Sequence, residues 1–219
     1  MTYSIVARDD RTGELGVAVQ SRWFATGAIV TWARPGVGAI ATQSFVDVRY
    51  GPAGLDLLAA GLAPEAALAQ LLAMDPDPAV RQVGIVDSAG RTAVHTGGGC
   101  VEAAGHLTGP GVTVQANMME RQTVWPAMLT AYETAAGDLA DRLMAALWAA
   151  EGEGGDVRGR QSAAILVVPG RAGAQPWETR FDLHVDDSRT PLAELDRLLT
   201  VARATRPSTR GSKPSPWAS

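Results

Sequence analysis

Threonine at position 2 is the residue of this sequence best suited to nucleophilic catalysis. Its side chain is small enough for the initiator methionine to be removed, which would leave a hydroxyl group and a free α-amine on one residue. An α-amine has a pKa of roughly 7.7–8.0, so it can accept the hydroxyl proton during attack on a carbonyl carbon. The alternative is that Thr2 is only the polar first residue of a strand.

The segment 154–162 is a second place where chemistry could occur, because glycines and two arginines directly precede an apolar run. An arginine here could bind a carboxylate or a carbonyl group through two parallel hydrogen bonds, and Arg160 is the better candidate. Equally, the glycines could end the preceding helix while Asp156 pairs with a nearby arginine. For Arg158 we favour this local role.

Metal and cofactor chemistry is not predicted. His95, Cys100 and His106 do not have the spacing of a zinc site, and the chain has no second cysteine. No glycine-rich phosphate-binding motif with its lysine is present either. Trp23 and Trp125 are candidates for the wall of a substrate pocket.

Hydrophobic periodicity predicts the elements that must position these residues. Residues 2–9 and 14–20 form a β-hairpin, since the Asp-Asp-Arg-Thr-Gly sequence between them has turn chemistry. The other predicted strands are 27–32, 37–42, 79–87, 91–96, 111–117, 162–168 and 181–185, and the predicted helices are a pair over 53–74, a segment of 122–151 interrupted near Gly137, and 190–204.

We expect the early strands to form one sheet and the strands from residue 79 onward to supply the second. Each group of strands is followed by helices, which can cover the outer face of its sheet. The prediction is an α+β fold, a four-layer αββα sandwich of two mostly antiparallel sheets. It spans residues 1–204, and the Ser/Pro/basic segment 205–219 is predicted to be a disordered tail.

Composition limits the partners and the compartment. A net charge of −4 and a pI near 5.4 give no basic surplus for nucleic acid, so a small molecule is the expected partner. The N-terminus has no secretory signal, and no apolar run is long enough for a membrane span. Because a single cysteine excludes an intramolecular disulfide, the expected location is the cytoplasm.

Several stretches of the chain resemble known families. The opening resembles proteasome β-subunits and related N-terminal-nucleophile (Ntn) hydrolases, in which the first residue of a strand attacks a carbonyl group. A closer resemblance, over residues 2–204, is to the uncharacterised DUF1028 family. It is carried by the stretches TYSIVARD, GELGVAVQSRWFA, GVGAIATQSF, YGPAGLDLL, VHTG, GHLTG, VQANMM and GDVRGRQSAA.

The resemblance implies a site at strand ends between the two sheets, and therefore further site residues. Gln20 and Ser21 match the polar pair that lies beside the nucleophile on the partner strand of the hairpin. Gln43 ends a strand, although a surface turn is as plausible there. Asn117 could hold an oxyanion with its side-chain amide or could cap a turn.

Within the segment 154–162, the resemblance favours Asp156, Arg160 and Ser162 over their neighbours. The sequence also departs from the proteasome pattern. Gln20 stands in place of an acidic residue, and the run Val30 to Arg34 has no lysine. Peptide cleavage is therefore not implied.

The leading hypothesis is an amidohydrolase that cleaves a small amide, ureide or lactam through Thr2. The alternative is a non-catalytic protein of the same fold that binds a small metabolite between its sheets. A third possibility is a structural or assembly role. Because this fold often associates through its helical faces, we expect a homo-oligomer.

Overall fold

A computed structural model describes residues 2–205, and within them the chain forms ten strands and six α-helices. The strands are β1 (Thr2–Arg8), β2 (Leu15–Ser21), β3 (Thr31–Arg34), β4 (Gly38–Ser44), β5 (Arg81–Asp87), β6 (Thr92–Thr96), β7 (Gly105–Gly109), β8 (Val112–Asn117), β9 (Ser162–Val168) and β10 (Phe181–Val185). The helices are α1 (Gly27–Val30), α2 (Tyr50–Ala59), α3 (Pro64–Met74), α4 (Val124–Thr134), α5 (Leu139–Gly152) and α6 (Pro191–Thr205). The predicted tail, apart from Thr205 at the end of α6, lies outside the described residues.

The strands form two sheets whose neighbouring strands are all antiparallel. The first sheet has the order β10-β9-β2-β1-β8-β7, and the second has the order β3-β4-β5-β6. The predicted division of the strands was therefore wrong: β3 and β4 join the second sheet, while β8 returns to pair with β1. This return makes β1 a central strand of the first sheet.

Three apolar clusters lie between four successive layers of helices and sheets, and this arrangement confirms the αββα sandwich. Buried side chains of α4, α5 and α6 pack on the outer face of the first sheet. A second cluster fills part of the space between the two sheets. A third joins α2 and α3 to the outer face of the second sheet. Burial of apolar surface in three such clusters is the main favourable contribution to folding.

The N-terminal hairpin is confirmed, and its turn shows how local chemistry positions β1. The Asp9 carboxylate accepts hydrogen bonds from the backbone N–H groups of Arg11 and Thr12, at 2.8 and 2.9 Å. Gly13 completes the turn at φ +74°, a conformation that favours glycine. The strands on either side of the turn, β1 and β2, pair from Arg8 and Leu15 next to the turn to Thr2 and Ser21 at the far end.

Two local predictions were incomplete. Residues 27–30 form the short helix α1 instead of the start of a strand, and α1 begins at Gly27, which lies tightly against β9: a Cβ atom there would be 2.4 Å from Ala164 Cβ. Strand β7 was not predicted, since its five residues are short and only partly buried at the edge of the first sheet. In both places tertiary contacts decide the local structure.

A partly buried ion pair connects α3 to the second sheet. Arg81 Nε lies 2.7 Å from Asp75 Oδ2, and the Tyr50 hydroxyl donates to the same oxygen at 2.9 Å. The Asp75 side chain is 2% exposed, and the Arg81 hydrogen bond holds its pKa well below the usual 3.8. Arg81 also donates to the carbonyl oxygen of Phe45 at 2.7 Å, so the pair positions the segment that follows β4.

Asp75→Asn is expected to lower the free energy of unfolding at pH 7 by about 2–3 kcal/mol, because Arg81 loses its buried charged partner. Since the pKa of Asp75 is lower in the folded than in the unfolded chain, its contribution is present above about pH 4 and is lost as the pH falls below that value. Urea unfolding from pH 7 to pH 3 tests this, with the exposed Asp77→Asn as control. A wild-type-to-variant difference that stayed constant across this range would contradict the assignment.

Candidate functional site

Thr2 begins the central strand β1 and is enclosed on both sides. It pairs with Ser21 at the end of β2 and with Asn117 at the end of β8. Its side chain is buried, with the residue 3% exposed, and its Oγ1 donates a hydrogen bond to Ser21 Oγ at 3.0 Å. Strand pairing on both sides fixes a residue that would fray at an unpaired chain end.

Alternation along the strands decides which predicted residues share a face with Thr2. Side chains directly opposite each other on paired strands lie on the same face, so Ser21 and Asn117 lie with Thr2 between the sheets. Gln20 pairs with Tyr3 and therefore faces the helical layer. Its amide nitrogen and oxygen are buried without a hydrogen-bond partner among the described residues.

Two predicted residues contact the backbone of Thr2. Gln43 Nε2 donates to the Thr2 carbonyl oxygen at 3.1 Å, and Asn117 Nδ2 approaches the same oxygen at 3.4 Å. Both side chains are buried, and Gln43 reaches Thr2 from the second sheet. These amides therefore hold the nucleophile candidate by its carbonyl group, and they connect the two sheets at this point.

Two further glutamines, which were not predicted, lie with these amides: Gln82 completes a buried amide network, and Gln115 joins it through its backbone carbonyl oxygen, which accepts from Gln43 Nε2 at 3.2 Å. Gln82 Oε1 accepts hydrogen bonds from Gln43 Nε2 at 2.7 Å and from Asn117 Nδ2 at 2.8 Å. Gln115 Nε2 donates to Ser4 Oγ at 2.6 Å. A glutamine at an inward position of an otherwise apolar strand is costly to bury, and this is the sequence signal that identifies both residues.

Gln82→Leu is expected to lower the free energy of unfolding by about 2–4 kcal/mol. The change removes the shortest of the hydrogen bonds made by the amides of Gln43 and Asn117, and it also removes a donor to the carbonyl oxygens of Ala116 and Gly105. Urea unfolding of the variant against the exposed control Gln175→Leu measures the difference. An effect below about 0.5 kcal/mol would contradict a structural role of the network.

Asp156 and Ser162 secure the segment that follows β2. The Asp156 carboxylate accepts from the backbone N–H of Arg22 at 3.2 Å and pairs with the Arg158 guanidinium at 2.8 Å. Ser162 Oγ donates to the carbonyl oxygen of Trp23 at 2.5 Å. The predicted local pairing of Asp156 is thus made by Arg158, and the two predicted residues shape the loop beside Thr2.

Arg160 lies elsewhere. Its Nε is 3.2 Å from Glu151 Oε1 on α5, and the Tyr3 hydroxyl donates to the other Glu151 oxygen at 3.1 Å. Burial raises the pKa of Tyr3 well above its usual value, with the Glu151 carboxylate adding to the effect. The structure therefore groups Arg160 with the helical face of the first sheet, whereas Arg158 is the arginine that reaches the Thr2 side.

A cavity of about 420 Å³ lies beside the Thr2 side chain. Its lining comes from the start of β1, the segment after β2, the segment after β4, and two loops. The lining residues are Thr2, Ser21, Trp23, Thr26, Ile29, Ser44, Phe45, Val46, Val48, Val101 and Arg158. Trp23 thus lines a pocket as predicted, whereas Trp125 packs against Gly105 in the helical layer. The volume is that of a small-molecule site.

Three non-glycine residues around this cavity have a left-handed backbone. Ala25 has φ +50°, Ser44 has φ +73° and Met118 has φ +56°. Ser44 lines the cavity, Ala25 precedes the lining residue Thr26, and the Met118 backbone N–H donates to the carbonyl oxygen of Val101, another lining residue. Such conformations are costly for residues with a Cβ atom. Their clustering at one place indicates that the surrounding structure imposes the shape of the cavity wall.

Within residues 2–205, no group of three or more His, Cys, Asp and Glu residues is arranged to hold a metal ion. Over the same described residues, no helix is long and apolar enough to cross a membrane.

Comparison with known proteins identifies a family and similar solved structures. The model of a family of unknown function, DUF1028, matches residues 2–195. A crystal structure of a DUF1028 protein from Silicibacter pomeroyi is 29% identical to the chain, with a TM-score of 0.84, covering 94% of this chain and 90% of that one. The ancestral beta-subunit Anbu from Yersinia bercovieri is 11% identical, with a TM-score of 0.44, covering 97% and 100%. No curated protein matches the chain.

Proposed function

Since the chain belongs to the DUF1028 family, whose function is unknown, we propose a function from its own residues: an N-terminal-nucleophile amidohydrolase that cleaves a small amide, ureide or lactam. One observation carries the proposal. The hydroxyl of the first strand residue borders a ligand-sized cavity and is already hydrogen-bonded to a second hydroxyl, that of Ser21. A nucleophile held in one orientation at the wall of a concave site is the arrangement that acyl transfer requires.

The proposed reaction uses both functional groups of Thr2. After removal of Met1, the α-amine accepts the proton of Oγ1 while this oxygen attacks the carbonyl carbon of the substrate. The amine then passes the proton to the leaving nitrogen, which departs as an amine and leaves an acyl ester on Thr2. Water, deprotonated by the same amine, attacks the ester and releases a carboxylic acid together with the regenerated hydroxyl.

The neighbouring side chains act as positioning residues in this proposal. Ser21 orients the Thr2 hydroxyl through its hydrogen bond, and Gln43 holds the Thr2 carbonyl. Asn117 takes the same positioning role instead of binding the oxyanion, because its Nδ2 group is directed at Gln82 and at the Thr2 carbonyl. Asp156 and Ser162 stabilise the adjoining loop.

Gln20 and Arg160 have no direct part in the proposed chemistry. Gln20 lies on the opposite face of the strand from Thr2, and Arg160 is paired with Glu151. Their contribution would be to the packing of the helical layer against β1. A change in stability without a change in the pH dependence of activity is therefore the effect we assign to them.

Non-catalytic binding of a small metabolite is the second candidate, and the missing proton-transfer groups favour it. The residue in the position of the proteasome acid is Gln20, which faces away from Thr2. On β3, Arg34 pairs with Asp56 at 2.8 Å, so it does not replace the absent lysine beside Thr2. Under this alternative, a ligand would bind tightly and be recovered unchanged.

Intact-mass spectrometry followed by a substrate screen tests the proposal. We expect the purified chain to begin at Thr2, and we expect incubation with a panel of small amides, ureides and lactams to release a carboxylic acid from at least one. Rapid acid quenching should trap an acyl group on the N-terminal peptide. A retained or acetylated Met1 would contradict the mechanism, since the amine would then be absent.

A further inference from the structure

The walls of the Thr2 cavity point to a substrate class. We propose that this cavity binds an uncharged, apolar acyl group, so that the substrate is a neutral carboxamide with an aliphatic or aromatic acyl side. This inference rests on the proposed function and narrows it. Ureides, whose faces are polar, would be poor ligands.

The first observation is the division of the lining into apolar walls and a few hydroxyl groups. The apolar side chains are Trp23, Ile29, Phe45, Val46, Val48 and Val101. The other lining side chains, apart from Arg158, carry hydroxyl groups: Thr2, Ser21, Thr26 and Ser44. Ligand sites of this kind obtain affinity from the apolar walls and orientation from the few polar groups.

The second observation is the exposure of large apolar side chains at the same place. Trp23 is 58% exposed, Phe45 is 55% exposed and Val48 is 43% exposed. None of the three belongs to an apolar cluster of the described residues. Covering such surface is favourable in proportion to the area removed from water, so an apolar ligand gains affinity that a polar ligand does not.

The third observation concerns charge. Among the described residues that line the cavity, Arg158 alone carries a formal charge. Its Nε and Nη2 atoms lie 3.1 and 2.8 Å from the two oxygens of Asp156, whose side chain is fully buried. Because this bidentate pair is neutral overall, the side chains of the cavity offer neither an anion nor a cation a compensating charge, and the Thr2 α-amine takes part in the proposed reaction in its neutral form, as the base. A neutral acyl group fits these surroundings best.

Calorimetric titration of the Thr2→Ala variant tests the inference, because this variant binds without consuming the probe. The probes are acetamide, butanamide, hexanamide and phenylacetamide, with allantoin as the polar ureide and glutaramate as the charged amide. We expect the dissociation constant to fall about four-fold for each added methylene until the cavity is filled. Allantoin and glutaramate should bind more weakly than butanamide.

A pair of tryptophan variants locates the binding. Trp23→Ala, made in the Thr2→Ala background, should weaken hexanamide binding at least about ten-fold and leave acetamide binding unchanged. Trp177→Ala removes a tryptophan that is 80% exposed and lies outside the cavity lining, so it should change neither. Both substituted tryptophans are exposed, and the variants are therefore expected to fold.

The outcomes separate this inference from the proposed function. Dissociation constants that do not depend on chain length, tighter binding of allantoin or glutaramate, or no binding of any probe would overturn the inference. Hydrolysis of polar ureides alone by the wild type would do the same and leave the proposed function standing. Graded binding of apolar amides without hydrolysis by the wild type would support the apolar ligand class and remove the catalytic role.

Discussion

Thr2→Ala is expected to lower turnover of the hydrolysed amide by at least about 10⁴-fold while the fold is retained. The variant keeps the α-amine and loses the attacking oxygen, with its hydrogen bond to Ser21, and the adjoining methyl group. Losses of this size follow removal of the nucleophile from other acyl-transfer enzymes. Steady-state kinetics with the best substrate of the screen, together with urea unfolding of both proteins, measures the two quantities.

Matched variants separate loss of the nucleophile from general damage. Thr2→Ser keeps a hydroxyl and should retain activity within about 100-fold of the wild type. Thr130→Ala removes an exposed threonine hydroxyl on α4 and should have no effect on turnover. Full activity of Thr2→Ala would exclude the mechanism, and equal losses in Thr2→Ala and Thr2→Ser would show that the hydroxyl is not the group that matters.

The second large effect is expected from one additional residue at the N-terminus. Insertion of an alanine between Met1 and Thr2 leaves the hydroxyl but turns its amine into a peptide N–H group, which cannot accept a proton. General-base catalysis contributes about 10²–10⁴-fold, so kcat/KM should fall by that factor. Intact-mass measurement must first establish which residue begins each chain, since only the wild type should carry a free threonine amine.

The pH dependence distinguishes loss of the base from displacement of β1. For the wild type, kcat/KM should rise with pH until the amine is deprotonated, with an inflection near or below about pH 8. The extended chain should lack this inflection, whereas a variant with one alanine added at the C-terminus should keep it. An extended chain with the wild-type rate and inflection would assign the proton transfer to another group.

Turn chemistry and hydrophobic periodicity were sufficient to predict most of the strands and helices, but not which strands pair with each other. The hairpin follows from turn chemistry at Asp9 and Gly13, and the helix pair of α2 and α3 follows from periodicity together with Pro64 in the first turn of α3. The pairing of β1 with β8 joins residues 115 positions apart. Nothing near either strand encodes this choice, because it depends on how two complete apolar faces are covered.

For the site as well, the sequence could suggest individual residues but not their arrangement in space. Thr2 could be proposed from its residue type, and Ser21 and Asn117 from the resemblance to a known family, but only the strand register shows on which face each side chain lies. Gln20 and Ser21 are neighbours in the sequence, but successive side chains of a strand point to opposite faces. Gln20 therefore faces the helical layer, whereas Ser21 faces the space between the sheets. The apolar cavity wall around Phe45 and Val48 was not predicted, since exposed apolar residues in a loop have no periodicity to identify them.

The position of Thr2 in the sheet also has a consequence during synthesis of the chain. The proposed chemistry requires cleavage of the Met1–Thr2 bond, and in the folded protein Thr2 is 3% exposed between two partner strands. One of those partners, β8, ends at residue 117, which leaves the ribosome on the order of ten seconds after the N-terminus at usual elongation rates. We therefore expect Met1 to be removed within this interval, while Thr2 has not yet gained β8 as its second partner strand.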